Sequence, residues 1–382
     1  MPRWSTSGFW FRALVLALPA LCTCRPAYCG TPEKPFFETG VVAPSGAAGS
    51  AYHGLPNLTV TASGKLVAAW SAWDAGPKSK LRIVAAHSTD GGRSWSTPVA
   101  VIDNPGKTDA DASLIVDGRR ILLLSTTVPE PGHIRRTETW MAWSEDDGAT
   151  WSPPTLVRQP RKYTVGKVHV GHKLADGRLA FGYSWDIFCE QDQEPRSEGE
   201  MDLKSGVMFS SDGGRIWTAG GDIYARPPKI TPYSTEGLDE PATVILESGE
   251  MFALLRSGTT RLWEARSQDL GASWSEPLPS ALAGHNAPAS LWRLRGTNDV
   301  VVVWDNSPRN RWPLAAALSR DGCHSWSRPR ILAEAKIVGA SYPAVTQNAD
   351  GLIVAVWQQA VSDHKGREIR MARFNLAWLL GE

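Results

Sequence analysis

An excess of charge of one sign is the first thing this chain lacks. Its 382 residues carry 40 Lys and Arg against 39 Asp and Glu, so nothing electrostatic favours nucleic acid or an anionic membrane, and any binding site must be a local arrangement of charges. Cysteine is scarce: of five, Cys22, Cys24 and Cys29 lie in or beside the N-terminal leader, and Cys189 and Cys323 stand alone. That excludes a disulfide scaffold and a zinc site, and leaves open one bridge between the last two or two unpaired thiols. No apolar run reaches membrane-spanning length. The apolar stretch Ala13–Leu18 follows Arg3 and Arg12 and precedes small residues near Ala20 and Ala27, the pattern of a cleaved export signal over residues 1–30. Cys22 and Cys24 lack the small residue that usually precedes a lipidated cysteine. The mature chain, 31–382, is therefore expected to be secreted or periplasmic, with no membrane insertion.

What the chain has in quantity is Gly (35), Pro (27) and Trp (18), with charged residues held to 21%. This suits short strands joined by tight turns and argues against coiled coil or disorder. The turns repeat. The motif S-x-D-x-G-x-x-W occurs at Ser88–Trp95, Ser144–Trp151, Ser210–Trp217 and Ser267–Trp274, and in altered form at Ser319–Trp326, where Cys323 replaces the glycine. The Asp carboxylate can accept turn N–H groups, Gly permits positive φ, and Trp covers the turn. These Asp-boxes build the fold and carry no catalysis.

A second repeat precedes most boxes. Pro56, Pro241, Pro288 and Pro343 are each followed eight residues later by a glycine, Gly64, Gly249, Gly296 and Gly351. Segments near Asp111–Gly118 and His169–Gly177 fill the two remaining places. Six units thus start near residues 53, 109, 167, 238, 285 and 340. Each alternates apolar strands with turn signals. The expectation is an all-β fold, a six-bladed β-propeller in one domain, with Phe36–Val42 pairing with the C-terminal strands to close the ring.

In such a ring the first strand of each blade lines the axis. The strand starts offer His53, Asp109, Asp111, His169, Asp239, Glu240, His285, Asn286 and Tyr342. Buried charges are costly unless paired, so this concentration points to a pocket rather than a filled core. The histidines could supply acid–base chemistry near neutral pH, although a lone His in such a fold is more often a hydrogen-bonded structural residue. No ligand spacing suggests a metal, and no cofactor motif is present.

At these residues the chain resembles the sialidase (neuraminidase) superfamily, from about residue 50 to the end. The run Glu240–Ser257, containing Arg256, is similar to the segment joining that family's general-base Glu to its second carboxylate-binding Arg. Arg311–Ser319 resembles the segment carrying the third Arg, Tyr342 matches the nucleophilic Tyr, and Asp111 resembles a second-blade pocket Asp. The resemblance implies a Tyr nucleophile assisted by Glu, with guanidinium groups binding the carboxylate of an acidic sugar. The family's first Arg is replaced by Gly54, with His53 beside it. Its general-acid position is matched only by Asp74, displaced by a few residues, with Lys78 and Lys80 following. Near Trp357-Gln358-Gln359 a supporting Glu is also replaced.

The expected activity is therefore exo-acting hydrolysis of a terminal acidic sugar from glycans. Catalysis is assigned to Tyr342, Glu240, Asp111 and Asp74, and substrate binding to Arg256, Arg311, His53, His169 and His285. A non-catalytic carbohydrate-binding propeller and a uronate-directed polysaccharide lyase are the alternatives.

Overall fold

The computed structural model describes Met1 and residues 34–74, 79–129, 136–193, 200–335, 339–361 and 365–382. The expected export signal, its three cysteines and Lys78 lie outside the described residues. After β1 (Phe37–Ala43), one antiparallel sheet contains β2 (Tyr52–Val60), β3 (Leu66–Trp73), β4 (Arg82–Ser88) and β5 (Val99–Ile102). A second contains β6 (Thr108–Asp117), β7 (Arg120–Val128), β8 (Glu138–Ser144) and β9 (Thr155–Val157).

The next two groups are β10 (His172–Lys173), β11 (Leu179–Asp186), β12 (Asp202–Ser210) and β13 (Thr218–Ile223), then β14 (Glu236–Ile245), β15 (Met251–Ser257), β16 (Arg261–Ser267) and β17 (Leu278–Ala283). They merge into one eight-stranded sheet because β12 and β14 pair in parallel at Asp202–Glu236 and Leu203–Gly237. A further sheet holds β18 (Ser290–Arg293), β19 (Val300–Asp305), β20 (Leu314–Ser319) and β21 (Arg330–Ala333). The last is β22 (Ala340–Gln347), β23 (Ile353–Ala360) and β24 (Arg367–Phe374), completed by β1. The pairing runs antiparallel from Phe37–Phe374 to Ala43–Ile369, and Arg373 clamps it by bonding Glu38. β1 thus shares a sheet with the C-terminal strands, as expected from Phe36–Val42.

The Asp-boxes close the hairpin turns through one shared hydrogen-bond pattern. In the first, Ser88 Oγ accepts the Gly92 N–H at 2.9 Å, and Asp90 Oδ1 accepts the Ser94 N–H at 2.9 Å. The altered box keeps this geometry. Cys323 adopts φ 67° and its N–H reaches Ser319 Oγ at 2.9 Å, while its thiol is buried in an apolar cluster with Leu246 and Phe252. Positive φ is uncommon at a residue with a Cβ, so the turn here is held in a conformation that glycine adopts freely in the other boxes. Cys189 sits in another cluster, with Tyr163 and Leu203, and the two cysteines form no disulfide.

The apolar residues of each group pack against the next. Leu114 and Leu123 share a cluster with Val67 and Ile83; Phe181 and Met208 pack with Ile115 and Leu124; Val302 and Trp304 pack with Leu254. The last sheet packs on the first, with Val354 and Met371 against Leu58 and Leu66.

At three of its four prolines, Pro56, Pro241 and Pro343, the second repeat proves to be a β-bulge. Between Asp239–Arg256 and Ala242–Leu254, two residues of β14, Glu240 and Pro241, oppose the single Leu255 of β15. The same happens at Leu55-Pro56 in β2 and Tyr342-Pro343 in β22. Pro belongs there because the bulge leaves one N–H outside the ladder, and Pro has none to lose. The preceding residue takes the left-handed region: Leu55 at φ 55°, Glu240 at 47° and Tyr342 at 54°. Asp111 (51°) and Asn286 (51°) do the same without a following Pro.

Candidate active site

The bulges at Glu240 and Tyr342 bring together side chains 102 residues apart in the chain. Tyr342 Oη donates to Glu240 Oε1 at 3.1 Å. Arg256, near the end of β15, reaches both: Nη1 lies 3.0 Å from Tyr342 Oη and 2.9 Å from Glu240 Oε2. Burial pushes the Tyr342 phenol well up, the Glu240 charge adds to the shift, and Arg256 and Arg311 oppose it. The phenol therefore rests neutral beside a proton acceptor.

Asn286 sets the guanidinium groups. Its Oδ1 accepts from Arg256 Nε and Nη2 at 3.0 and 2.7 Å, and its carbonyl accepts from Arg311 Nη2 at 2.5 Å. Arg311 stands over the Tyr342 ring at 5.4 Å. Asp305 is buried with neither carboxylate oxygen hydrogen-bonded; burial pushes it well above the usual carboxylate range despite the Arg311 charge.

A buried ring of titratable groups lies behind Glu240. Asp239 Oδ1 accepts the Glu240 N–H at 2.7 Å, and burial, then the Glu240 charge, push its carboxyl up to about 7. His169 Nε2 lies 3.3 Å from the Glu240 carbonyl, and burial lowers its imidazole to about 4. Lys167, fully buried, donates to Thr164 O and Oγ1 at 3.0 and 2.9 Å. Asp111 feels the Lys167 charge, but burial is the larger effect and raises its carboxyl.

The other assigned residues stand apart from this cluster. His53 has no exposed surface, and its Nδ1 accepts the Trp70 indole N–H at 2.9 Å. Burial holds its ring near 4. As placed, the ring is buried and its Nδ1 is committed to Trp70. His285 directs Nδ1 to the Thr259 carbonyl at 2.8 Å. Asp74 is exposed directly after Trp73, with residues 75–78 following.

The reshaped side of the site is explicit. A Cβ on Gly54 would meet Gln358 Oε1 at 2.6 Å and Trp73 Cη2 at 3.1 Å. Gln358 is held there by the Leu55 N–H on its Oε1 and by Ser341 Oγ on its Nε2, each at 3.0 Å. The two departures noted in sequence, Gly54 and Gln358, are thus neighbours in space. Sequence reading passed over Lys167, Asp305 and Arg367; Asn286 it noted only as a strand-start residue. Nothing local marks Lys167, Asp305 or Arg367, while Asn286 lies two residues before Pro288 of the repeat. Among the described residues no group of three His, Cys, Asp or Glu could hold a metal ion.

Residues 64–355 match the family described as BNR repeat-like domain. The chain belongs to that family. It is a divergent member of the sialidase/BNR-repeat superfamily. A curated sialidase of Micromonospora viridifaciens is 26% identical over 97% of the chain and 59% of its own length. One of Bacteroides fragilis is 24% identical over 73% of the chain and 54% of its own length. The chain spans a little over half the length of these curated relatives. Among solved structures, Trypanosoma rangeli sialidase in complex with sialic acid superposes with a TM-score of 0.68 at 16% identity, covering 91% of this chain and 59% of that one. The all-β fold of this BNR-repeat protein is therefore that of the sialidases.

Proposed function

We propose that this protein is a sialidase-like exo-glycosidase, secreted or periplasmic, that releases a terminal acidic sugar from glycans with Tyr342 as nucleophile. Its domain, residues 31–382, is a six-bladed propeller. The shared apolar clusters between successive sheets, including last with first, support the ring. Tyr342 Oη within 3.1 Å of Glu240 Oε1 carries the chemical reading.

An acidic sugar repels a carboxylate nucleophile at its anomeric carbon; a neutral phenol avoids this. As Tyr342 Oη bonds to that carbon, its proton passes to Glu240 Oε1, and Arg256 steadies the oxygen while charge develops. The leaving glycosidic oxygen takes a proton from the general acid, a role we assign to Asp74 on the rim. Water then attacks the anomeric carbon and breaks its bond to Tyr342, giving one proton back to Asp74, while the phenolate recovers its own proton from Glu240. Asp111, with Lys167 and His169, holds the floor beneath Glu240, while His285 braces the strand end that carries Arg256.

The test is a fluorogenic glycoside panel with wild type and Tyr342→Phe. Hydrolysis of acidic-sugar glycosides by wild type, lost in the variant, supports the reading. Unsaturated products absorbing in the near ultraviolet would identify a lyase instead. Glycan binding without turnover, unchanged in Tyr342→Phe, would identify a binding propeller.

A further inference from the structure

The charges of three guanidinium groups bear on Tyr342 or its surroundings, and among the described residues only that of Arg256 is in an ion pair. Arg256 forms its ion pair with Glu240 at 2.9 Å. Arg311, half-buried, spends one N–H on the Asn286 carbonyl and lies over Tyr342. The third, Arg367, opens β24 and stands half-buried over the Trp73 ring at 5.5 Å. Its strand is anchored beside β2, with the Arg367 N–H on the Ala51 carbonyl at 3.0 Å.

Arg367 and Arg311 weigh on each other. Burial, then the Arg311 charge, lower the Arg367 cation below its ordinary value, while Tyr342 and Tyr52 act the other way. Among the described residues neither cation forms an ion pair with a carboxylate. Burial pushes Asp305, the acid that Arg311 feels, well above the usual carboxylate range, and Glu368, next to Arg367, is engaged with Arg370 at 3.1 Å. Two partly desolvated cations without a counter-ion raise each other's energy. An anion between them would relieve it, and a carboxylate suits two planar forks.

The position of Arg367 is informative as well. At Trp73 three residues converge: Tyr52 stacked at 5.6 Å, Arg367 across its face, and Gly54, whose absent Cβ would lie 3.1 Å away. No side chain can enter from position 54 while Gln358 occupies that space. Arg367 brings a cation to the same indole from the opposite end of the chain.

We propose that Arg367 and Arg311 together bind the carboxylate of the acidic sugar, with Arg367 as the specificity-determining cation on the side where position 54 has none. This rests on the glycosidase reading above.

The test compares hydrolysis of the 4-methylumbelliferyl glycoside of N-acetylneuraminic acid with that of its methyl ester, whose charge is removed. Wild type is expected to prefer the acid. Arg367→Ala lowers the acid-to-ester ratio of kcat/KM by about 10- to 100-fold, and Arg367→Lys retains part of it, because charge survives without the fork. The ratio is insensitive to a misfolded fraction, since both substrates see the same active population. A ratio in Arg367→Ala within about twofold of wild type overturns the assignment and leaves the glycosidase reading standing. Should wild type hydrolyse neither compound, calorimetric titration with N-acetylneuraminate separates the two ideas. Binding that Arg367→Ala abolishes keeps the carboxylate site and removes the glycosidase; no binding overturns both.

Discussion

Tyr342 Oη and Glu240 Oε1 meet at 3.1 Å although each residue sits at a strained, positive-φ bulge on a different sheet. Strain of this kind, about 1–3 kcal/mol per residue, persists where the surrounding structure over-determines it and is often found at functional sites. If the proposed chemistry holds, Glu240→Gln removes the proton acceptor while keeping its shape. The expected result is a kcat about 10²- to 10⁴-fold lower on acidic-sugar glycosides. Circular dichroism should stay as in wild type.

Gln358 and Gly54 form a coupled pair. Gly54→Ala pushes Gln358 off the Leu55 N–H and is expected to cost about 1 kcal/mol. In a Gln358→Ala background, with that bond already gone, the same substitution costs close to nothing, a coupling of about 1 kcal/mol. Urea unfolding of the four proteins measures it. Independent, additive effects would show that Gln358 is not what fills this space.

Acid stability should trace to the box turns. Hydrogen bonds from the Thr150 hydroxyl and N–H hold Asp146 at about 2. A carboxylate lowered in the folded state contributes stability above its unfolded value of roughly 3.9, and that contribution fades as pH falls toward 2. Asp146→Asn should therefore lower the melting temperature at neutral pH and narrow the gap to wild type in acid.

Lys167 costs stability where Asp146 adds it, although its contribution too improves as pH rises. Burial lowers its ammonium from 10.5 to about 7 against the attraction of Asp111. Between those values the unfolded chain holds more proton than the folded one, so stability rises with pH across the window and the full penalty applies below it. Lys167→Met should raise stability at neutral pH and flatten the alkaline rise, read from urea midpoints at about pH 7 and pH 9.5.

Burial pushes the Cys323 thiol up to about 12, and Cys189 is equally enclosed. Neither of these two thiols should react with Ellman's reagent under native conditions. Both should react in urea. Native reactivity of one thiol would mean that its sheet contact opens.

What the sequence by itself determined was everything that depends on local rules. The Asp-boxes follow from turn chemistry, and Ser319–Trp326 kept its turn even with Cys323, because the bonds from Ser319 and Asp321 do not involve the replaced side chain. The x-Pro repeat placed Glu240 and Tyr342 at strand starts, since Pro can sit only where the ladder has a gap. Pairing of Phe37–Ala43 with the C-terminal strand was likewise legible, as a strand left without a partner.

Only the tertiary structure decided which strand starts meet. His53 lies in a strand-start neighbourhood of the repeat, but Leu55 takes the bulge position there that Glu240 takes in β14, and the His53 ring is bonded to Trp70. Arg367 and Asn286 carry no motif, yet bring a cation and a bridging amide to Tyr342 because their sheets converge there. Gly54 read as a loss in sequence. The packing of Gln358 and Trp73 around it showed a space already filled, with Arg367 beside it. Backbone geometry is local and repeats along the chain; charge pairing depends on which sheets are brought together, and no single repeat contains that information.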